Sequence, residues 1–217
     1  MNSDCHFWLN WWVNVAIAIA TFSAVLVALF GKRIRAQWFR PKLTLTLDST
    51  IGEKIPAWIL SYIDGREQRR SEATRYYRVR VTNEERWQSA TQTQVYLLRV
   101  EEPGPDNVLQ TKWAGELPLI WTHQSIFPIA RTIGPSATID LCSVLQGKGI
   151  YLHPLIEPIN FQLQYTNAVS LILSLQAKAN EGESDISRFK IAWDGKWEDG
   201  DNEMAQHLIV KDITGQI

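Results

Sequence analysis

The chain has 217 residues, 45% of them hydrophobic and 21% charged, with a formal net charge of −1 at pH 7. A balance this close to neutral gives no global attraction to nucleic acid, which makes it an unexpected partner. The length suffices for one domain with a real core, and only two cysteines are present, which excludes a disulfide framework.

From Phe7 to Gly31 there is no Asp, Glu, Lys, Arg or His. About 25 uncharged residues in an α-helix cover about 37 Å, enough to cross a hydrocarbon core of about 30 Å with some tilt. Phe7, Trp11, Trp12, Ala16, Ala20, Ala24, Ala28 and Phe30 mark this membrane span. Trp8, Trp11 and Trp12 at one end, and Trp38 and Phe39 at the other, read as two aromatic belts. Only Asp4 and His6 precede the span, whereas Lys32, Arg33, Arg35, Arg40 and Lys42 follow it. The positive-inside rule then predicts a single pass of the inner (cytoplasmic) membrane, N-terminus out, with the C-terminal side cytoplasmic and almost no extracytoplasmic part. A cleaved signal peptide needs a basic n-region and a shorter core, and here the basic cluster is on the wrong side.

Asn10, Asn14, Ile17, Thr21, Ala24 and Ala28 follow alternating steps of four and three, the seam spacing of packed helices. Ala16, Ala20, Ala24 and Ala28 add a ladder of small residues at every fourth position. Small residues let backbones approach in lipid, and Asn or Thr hydrogen-bonds across such an interface. The pattern suits a homo-oligomer; it equally suits a plain anchor, because alanine is common in spans.

Residues 1–40 are thus the span with its basic juxtamembrane segment, and Arg40-Pro41 ends the helix, since proline disfavours helix in the residue before it. In residues 41–217 the period changes to that of strands. Leu43, Leu45 and Leu47 alternate with Thr44 and Thr46, and Ala57 to Ile63 is an apolar run. Tyr77, Val79 and Val81 alternate with Arg78, Arg80 and Thr82, and Val95 to Val100 follows. Pro103-Gly104-Pro105-Asp106 marks a loop, Leu117 to Trp121 an edge strand, and Gly134-Pro135 a turn. Ile139 and Leu141 alternate with Asp140 and Cys142, and Phe161, Leu163 and Tyr165 with Gln162 and Gln164. Leu171, Leu173 and Leu175 form another strand, and Phe189, Ile191 and Trp193 the next. Asp194-Gly195, between Trp193 and Trp197, is a two-residue hairpin signal. Asn202 to His207 reads as a short helix or a loop, and Leu208 to Val210 as the last strand.

About eight short strands with turns between them predict an antiparallel β-sandwich. The segment Tyr77-Arg78-Val79-Arg80-Val81-Thr82-Asn83, with Ala90 and Val95-Tyr96-Leu97-Leu98-Arg99-Val100 after it, resembles paired strands of immunoglobulin-like domains. The whole layout resembles bacterial single-pass membrane proteins that carry a cytosolic immunoglobulin-like sandwich. The Cys-Trp-Cys framework of true immunoglobulin domains is absent.

The chemistry-bearing residues are sparse. No Gly-x-Ser-x-Gly elbow, metal-ligand spacing or phosphate-binding glycine pattern occurs, so no catalytic residue, metal or cofactor is expected. Cys142 reads as a buried inert thiol, and Gly147-Lys148-Gly149 as a loop between strands. Arg66, Arg69, Arg70, Arg75, Arg78, Arg80 and Arg86 make one region arginine-rich. Arg75, Arg78 and Arg80 are the candidate anion-binding residues, because guanidinium forks match phosphate and carboxylate. Glu67, Glu72, Glu84 and Glu85 are interleaved, however, which also describes a solvated face. Asp199-Gly200-Asp201-Asn202-Glu203 offers closely spaced oxygens without the order of a calcium loop. Trp58, Trp87, Trp113, Trp121, Trp193 and Trp197 are core packing or an aromatic pocket.

These readings predict a membrane-anchored, non-enzymatic binding or scaffolding protein with the lipid bilayer and an unidentified protein as partners. The alternative is a signal-responsive membrane effector, for example in bacterial defence, whose sandwich binds an anionic or nucleotide ligand.

Overall fold

The computed structural model describes residues 3–38, 40–63, 66–85, 88–106, 108–123 and 129–216. The chain divides into two compact units, Met1–Arg40 and Pro41–Ile217.

The first unit is one helix, α1, Ser3–Trp38. Its Trp11–Ala28 stretch has a mean hydropathy of 1.9, with none of it buried. This helix is long and apolar enough to cross a membrane. Trp11 packs edge-on against Trp8 and Trp12, with ring centroids 6.1 and 4.9 Å apart.

The second unit is mainly β. Its elements in order are β1 (Leu43–Leu47), β2 (Glu53–Ile63), β3 (Arg66–Asn83), β4 (Ala90–Pro103), β5 (Leu109–Pro118), β6 (Arg131–Ile133), β7 (Ser136–Leu145) and β8 (Gly149–Leu152). There follow β9 (Gln164–Tyr165), β10 (Val169–Ala179), β11 (Gly182–Glu183), β12 (Ser187–Trp193), α2 (Asp201–His207) and β13 (Leu208–Asp212). One sheet runs β1-β3-β7-β8-β9, with β2 also paired to β3; the other runs β13-β12-β10-β4-β5, with β11 on β10 and β6 on β4. Every pairing among the described strands is antiparallel.

One hydrophobic cluster draws on both sheets: Tyr77, Val79 and Ile139 from the first, Leu97, Leu173 and Phe189 from the second. Each such side chain contributes about 1.5–3 kcal/mol by leaving water. After β5 the chain passes between the sheets. Leu119 N–H donates to Val95 O at 2.9 Å in the second sheet, and Thr122 N–H donates to Thr138 O at 2.9 Å in the first.

Of the β-bulges among the described strands, two decide the faces of chemistry-bearing residues. Tyr77 faces Cys142 but Arg78 faces Asp140, so Leu141 is an extra residue in β7. Leu175 faces Leu97 but Ser174 faces Arg99, so Leu98 is an extra residue in β4. A bulge resets which face the following side chains take. The strict alternation that puts Cys142 beside Asp140 is therefore corrected: Cys142 returns to the core, fully buried, while Asp140 stays outside.

Other boundaries also differ from the sequence reading. The edge strand is Leu109–Pro118 rather than Leu117 to Trp121. Its Gln110, Thr111 and Lys112 are exposed, so no apolar alternation announces it. Phe161 and Leu163 precede a strand of only two residues. Asp194-Gly195 makes a turn, with Lys196 N–H donating to Asp194 Oδ1 at 3.0 Å. It joins no hairpin; β12 reaches its partner β13 only after α2. The Gly147-Lys148-Gly149 stretch does join two strands, turning β7 into β8.

Candidate functional site

The arginine-rich stretch lies on β3, whose alternation separates its members. Arg75 is on the core face, in register with Val144, and its side chain is 0% exposed. Burying a guanidinium demands a counter-charge and hydrogen bonds. Asp201, in the first turn of α2, supplies the carboxylate, with Arg75 Nη1 donating to Oδ1 at 2.6 Å. The carbonyls of Ile51 and Asp199 accept at 3.4 Å. Asp199 also pairs with Lys54 Nζ at 2.7 Å. The acidic loop therefore spends two carboxylates on β2 and β3. Among the described residues no group of three or more His, Cys, Asp or Glu is placed to hold a metal ion.

Arg78 and Arg80 occupy the opposite face. Arg78 Nε donates to Asp140 Oδ1 at 2.9 Å, and its Nη1 meets Glu53. Thr122 Oγ1 donates to the same Asp140 oxygen at 2.9 Å. Arg80 Nε donates to Asp48 Oδ1 at 2.9 Å. The three candidate residues are thus not one cluster: Arg78 and Arg80 share a face, Arg75 lies behind it, and each holds a carboxylate.

The structure adds residues to this face that the sequence did not single out. Glu53, Tyr76, Ser143 and Tyr151 stand in one cross-strand row. The Arg78 guanidinium lies 5.7 Å from the Tyr76 ring centroid, and the same ring stacks on His153 at 5.8 Å. His153 Nε2 and Ser143 Oγ share a hydrogen bond of 2.8 Å. Burial lowers the His153 pKa, with Asp140 opposing, so the ring favours its neutral form. The meeting of Ser143 with His153 depends on the bulge-shifted register, which hydropathy does not reveal. The serine is 1% exposed, so its hydroxyl meets the ring out of reach of solvent.

Cys142 is a free thiol inside the core, its pKa pushed up by desolvation first and by Asp140 second. The tryptophans divide. Trp121 and Trp193 are buried, and Trp113 and Trp197 pack against the same core. Trp121 Nε1 donates to Ile129 O at 3.1 Å and Trp193 Nε1 to Lys196 O at 2.9 Å. Arg86 and Trp87 lie outside the described residues, as do the side chains of Trp58, Arg66, Arg69 and Arg70.

On α1, Asn14, Ile17, Ala24 and Ala28 are exposed, as are Ala16, Ala20 and Phe30. Thr21 Oγ1 donates to Ile17 O at 2.8 Å within the helix, which satisfies its hydroxyl without a partner helix. The side chains of Phe7 and Asn10 lie outside the described part. No protein-family model matches the chain, and no curated protein matches it.

Proposed function

We propose that the chain is a membrane-anchored, non-enzymatic binding or scaffolding protein. The observation that carries this reading is the Trp11–Ala28 stretch, mean hydropathy 1.9 and none of it buried, on a chain whose second unit has its own core. An exposed apolar surface of this length is unstable in water and stable in lipid. The basic residues after the span favour the N-out topology in the inner membrane of a bacterium. Two antiparallel sheets contributing to one core cluster support an immunoglobulin-like β-sandwich. Tethering concentrates such a domain beside other membrane proteins, so weak contacts suffice. The helix seam from Asn10 to Ala28 would bring two copies together.

An effector that binds an anion through Arg75, Arg78 and Arg80 finds less support, because all three guanidiniums already hold carboxylates.

Alkaline carbonate extraction of membranes tests the anchor, and an impermeant maleimide on Cys5 of intact cells tests the topology. Retention in the pellet with labelling from outside is expected. Release by carbonate overturns the anchor, and labelling only after permeabilisation overturns the orientation.

A further inference from the structure

The outward face of the second sheet carries a concavity of 480 Å³, within the range of small-molecule sites. One cross-strand row builds its floor: Arg188 on β12, Ser174 on β10 and Arg99 on β4. The two arginines therefore flank the serine, one strand to each side. The Leu98 bulge is what places Arg99 here. Strict alternation from Val95 and Leu97 would turn its side chain into the core.

Both arginines are under-used. Arg99 Nη1 contacts Glu101 Oε1 at 3.4 Å, and Arg188 Nη2 lies 3.9 Å from Glu101 Oε2. Charge-assisted contacts ordinarily close to about 2.7–2.9 Å. Neither guanidinium makes another hydrogen bond or ion pair among the described residues, and the side chains are 49% and 28% exposed. Glu101 is 5% exposed and its Oε2 is buried without a hydrogen bond. One carboxylate thus holds two guanidinium forks loosely from within and, among the described residues, leaves one positive charge unbalanced. Leu98, Ile186 and Ile213 supply apolar walls beside them.

We propose that this concavity binds a monoanionic organic carboxylate with an apolar body. The head accepts from Arg99 and Arg188 above Ser174, and the body lies against Ile186 and Ile213. A planar carboxylate matches the guanidinium fork, and one negative charge balances the site. Glu101 acts as a positioning residue that keeps both forks in place. The inference rests on the reading of the second unit as a binding module, not on the anchor.

The test is calorimetric titration of the full-length chain in zwitterionic nanodiscs with 4-phenylbutyrate, which has head and body, beside acetate, which has only the head. A second arm places oleate in the bilayer, to separate a membrane source of the carboxylate from a soluble one. Saturable binding of 4-phenylbutyrate or oleate, far tighter than acetate, is expected. Arg99→Gln and Arg188→Gln should each weaken it at least about tenfold. Ile186→Glu, at a residue 50% exposed, should do the same without touching an arginine. Binding of neither probe overturns the proposal, as does equal binding by wild type and both arginine variants. Comigration of chain and nanodisc scores the anchor separately, so its failure is not confused with loss of the ligand.

Discussion

Removing the carboxylate of Asp201 is the sharpest test of how the second unit is held together. Asp201→Ala leaves the Arg75 guanidinium, 0% exposed, with only two carbonyl contacts at 3.4 Å. Breaking a buried ion pair from one side costs about 3–5 kcal/mol, because the remaining charge is stranded. Asp201 itself is 66% exposed, so water reaches the vacated position and lowers the cost to about 2–3 kcal/mol. At roughly 2–4 °C per kcal/mol for a domain of this size, the melting temperature falls by about 4–12 °C. Arg75→Met should be milder, since its neighbours in register are Val144 and, beyond it, Ile150, and an apolar chain of similar length suits that row. The double variant Arg75→Met/Asp201→Ala should then be more stable than Asp201→Ala alone. Urea unfolding of all three in the same nanodiscs reads this order directly. Asp201→Ala within about 0.5 kcal/mol of wild type would refute the reasoning.

Stability should fall as pH drops below about 6.5 through His153. Burial lowers its folded pKa below the ordinary histidine value of 6.5, so the unfolded chain takes up the proton first and gains from acid. The contribution is complete above that value and is lost as pH falls through the folded pKa; His153→Gln should flatten the urea midpoint across this window. In a Cys5→Ser background, Cys142 should resist an aromatic disulfide reagent until the chain unfolds, and fast native labelling would contradict its burial. Gly149→Ala should cost about 3 kcal/mol, because φ is +98° there and a Cβ would press on the Tyr165 carbonyl. Ala24→Ile with Ala28→Ile should reduce crosslinked dimer in membranes if the helix seam packs; an unchanged ladder assigns the helix to anchoring alone.

The apolar helix and the central strands were legible because hydropathy records burial. Leu43 with Leu45, and Val79 with Val81, alternate in the sequence and in the sheets alike, and Leu171, Leu173 and Leu175 all enter the core. Strand β5 was not legible, since an edge strand with Lys112 and Glu116 toward solvent carries no apolar period. The long β2-β3 hairpin hid for a related reason: arginines and glutamates between Arg66 and Arg75 read as a solvated run, not as a strand. Asp194-Gly195 misled because a turn signal reports local backbone preference and says nothing about which strands pair. Of the candidate site, the sequence found Arg78 and Arg80 on one face. Their partners Asp140, Glu53 and Asp48 come from three other parts of the chain, and only tertiary register brings them there.

The two bulges show why face assignment failed where strand assignment succeeded. A side chain's face depends on the parity of its distance from a fixed point, so one unpaired residue inverts everything after it. Leu141 inverts β7 after Asp140: Cys142 and Val144 enter the core, and Ser143 comes out to meet His153 and Tyr76. Leu98 inverts β4 after Leu97: Val100 enters the core, and Arg99 with Glu101 comes out beside Arg188. In both strands the inserted residue is apolar, so composition conceals it. In both, the charged or hydrogen-bonding groups that follow would otherwise be aimed at the core, where an unpaired guanidinium or carboxylate costs several kcal/mol, on the order of the whole margin of stability. The bulges thus reconcile a well-filled core with polar groups at those positions. Deleting Leu98 should bury Arg99 and abolish the fold, whereas Leu98→Ala, which keeps the residue count, should preserve the fold and the outward placement of Arg99 while removing one apolar wall of the concavity.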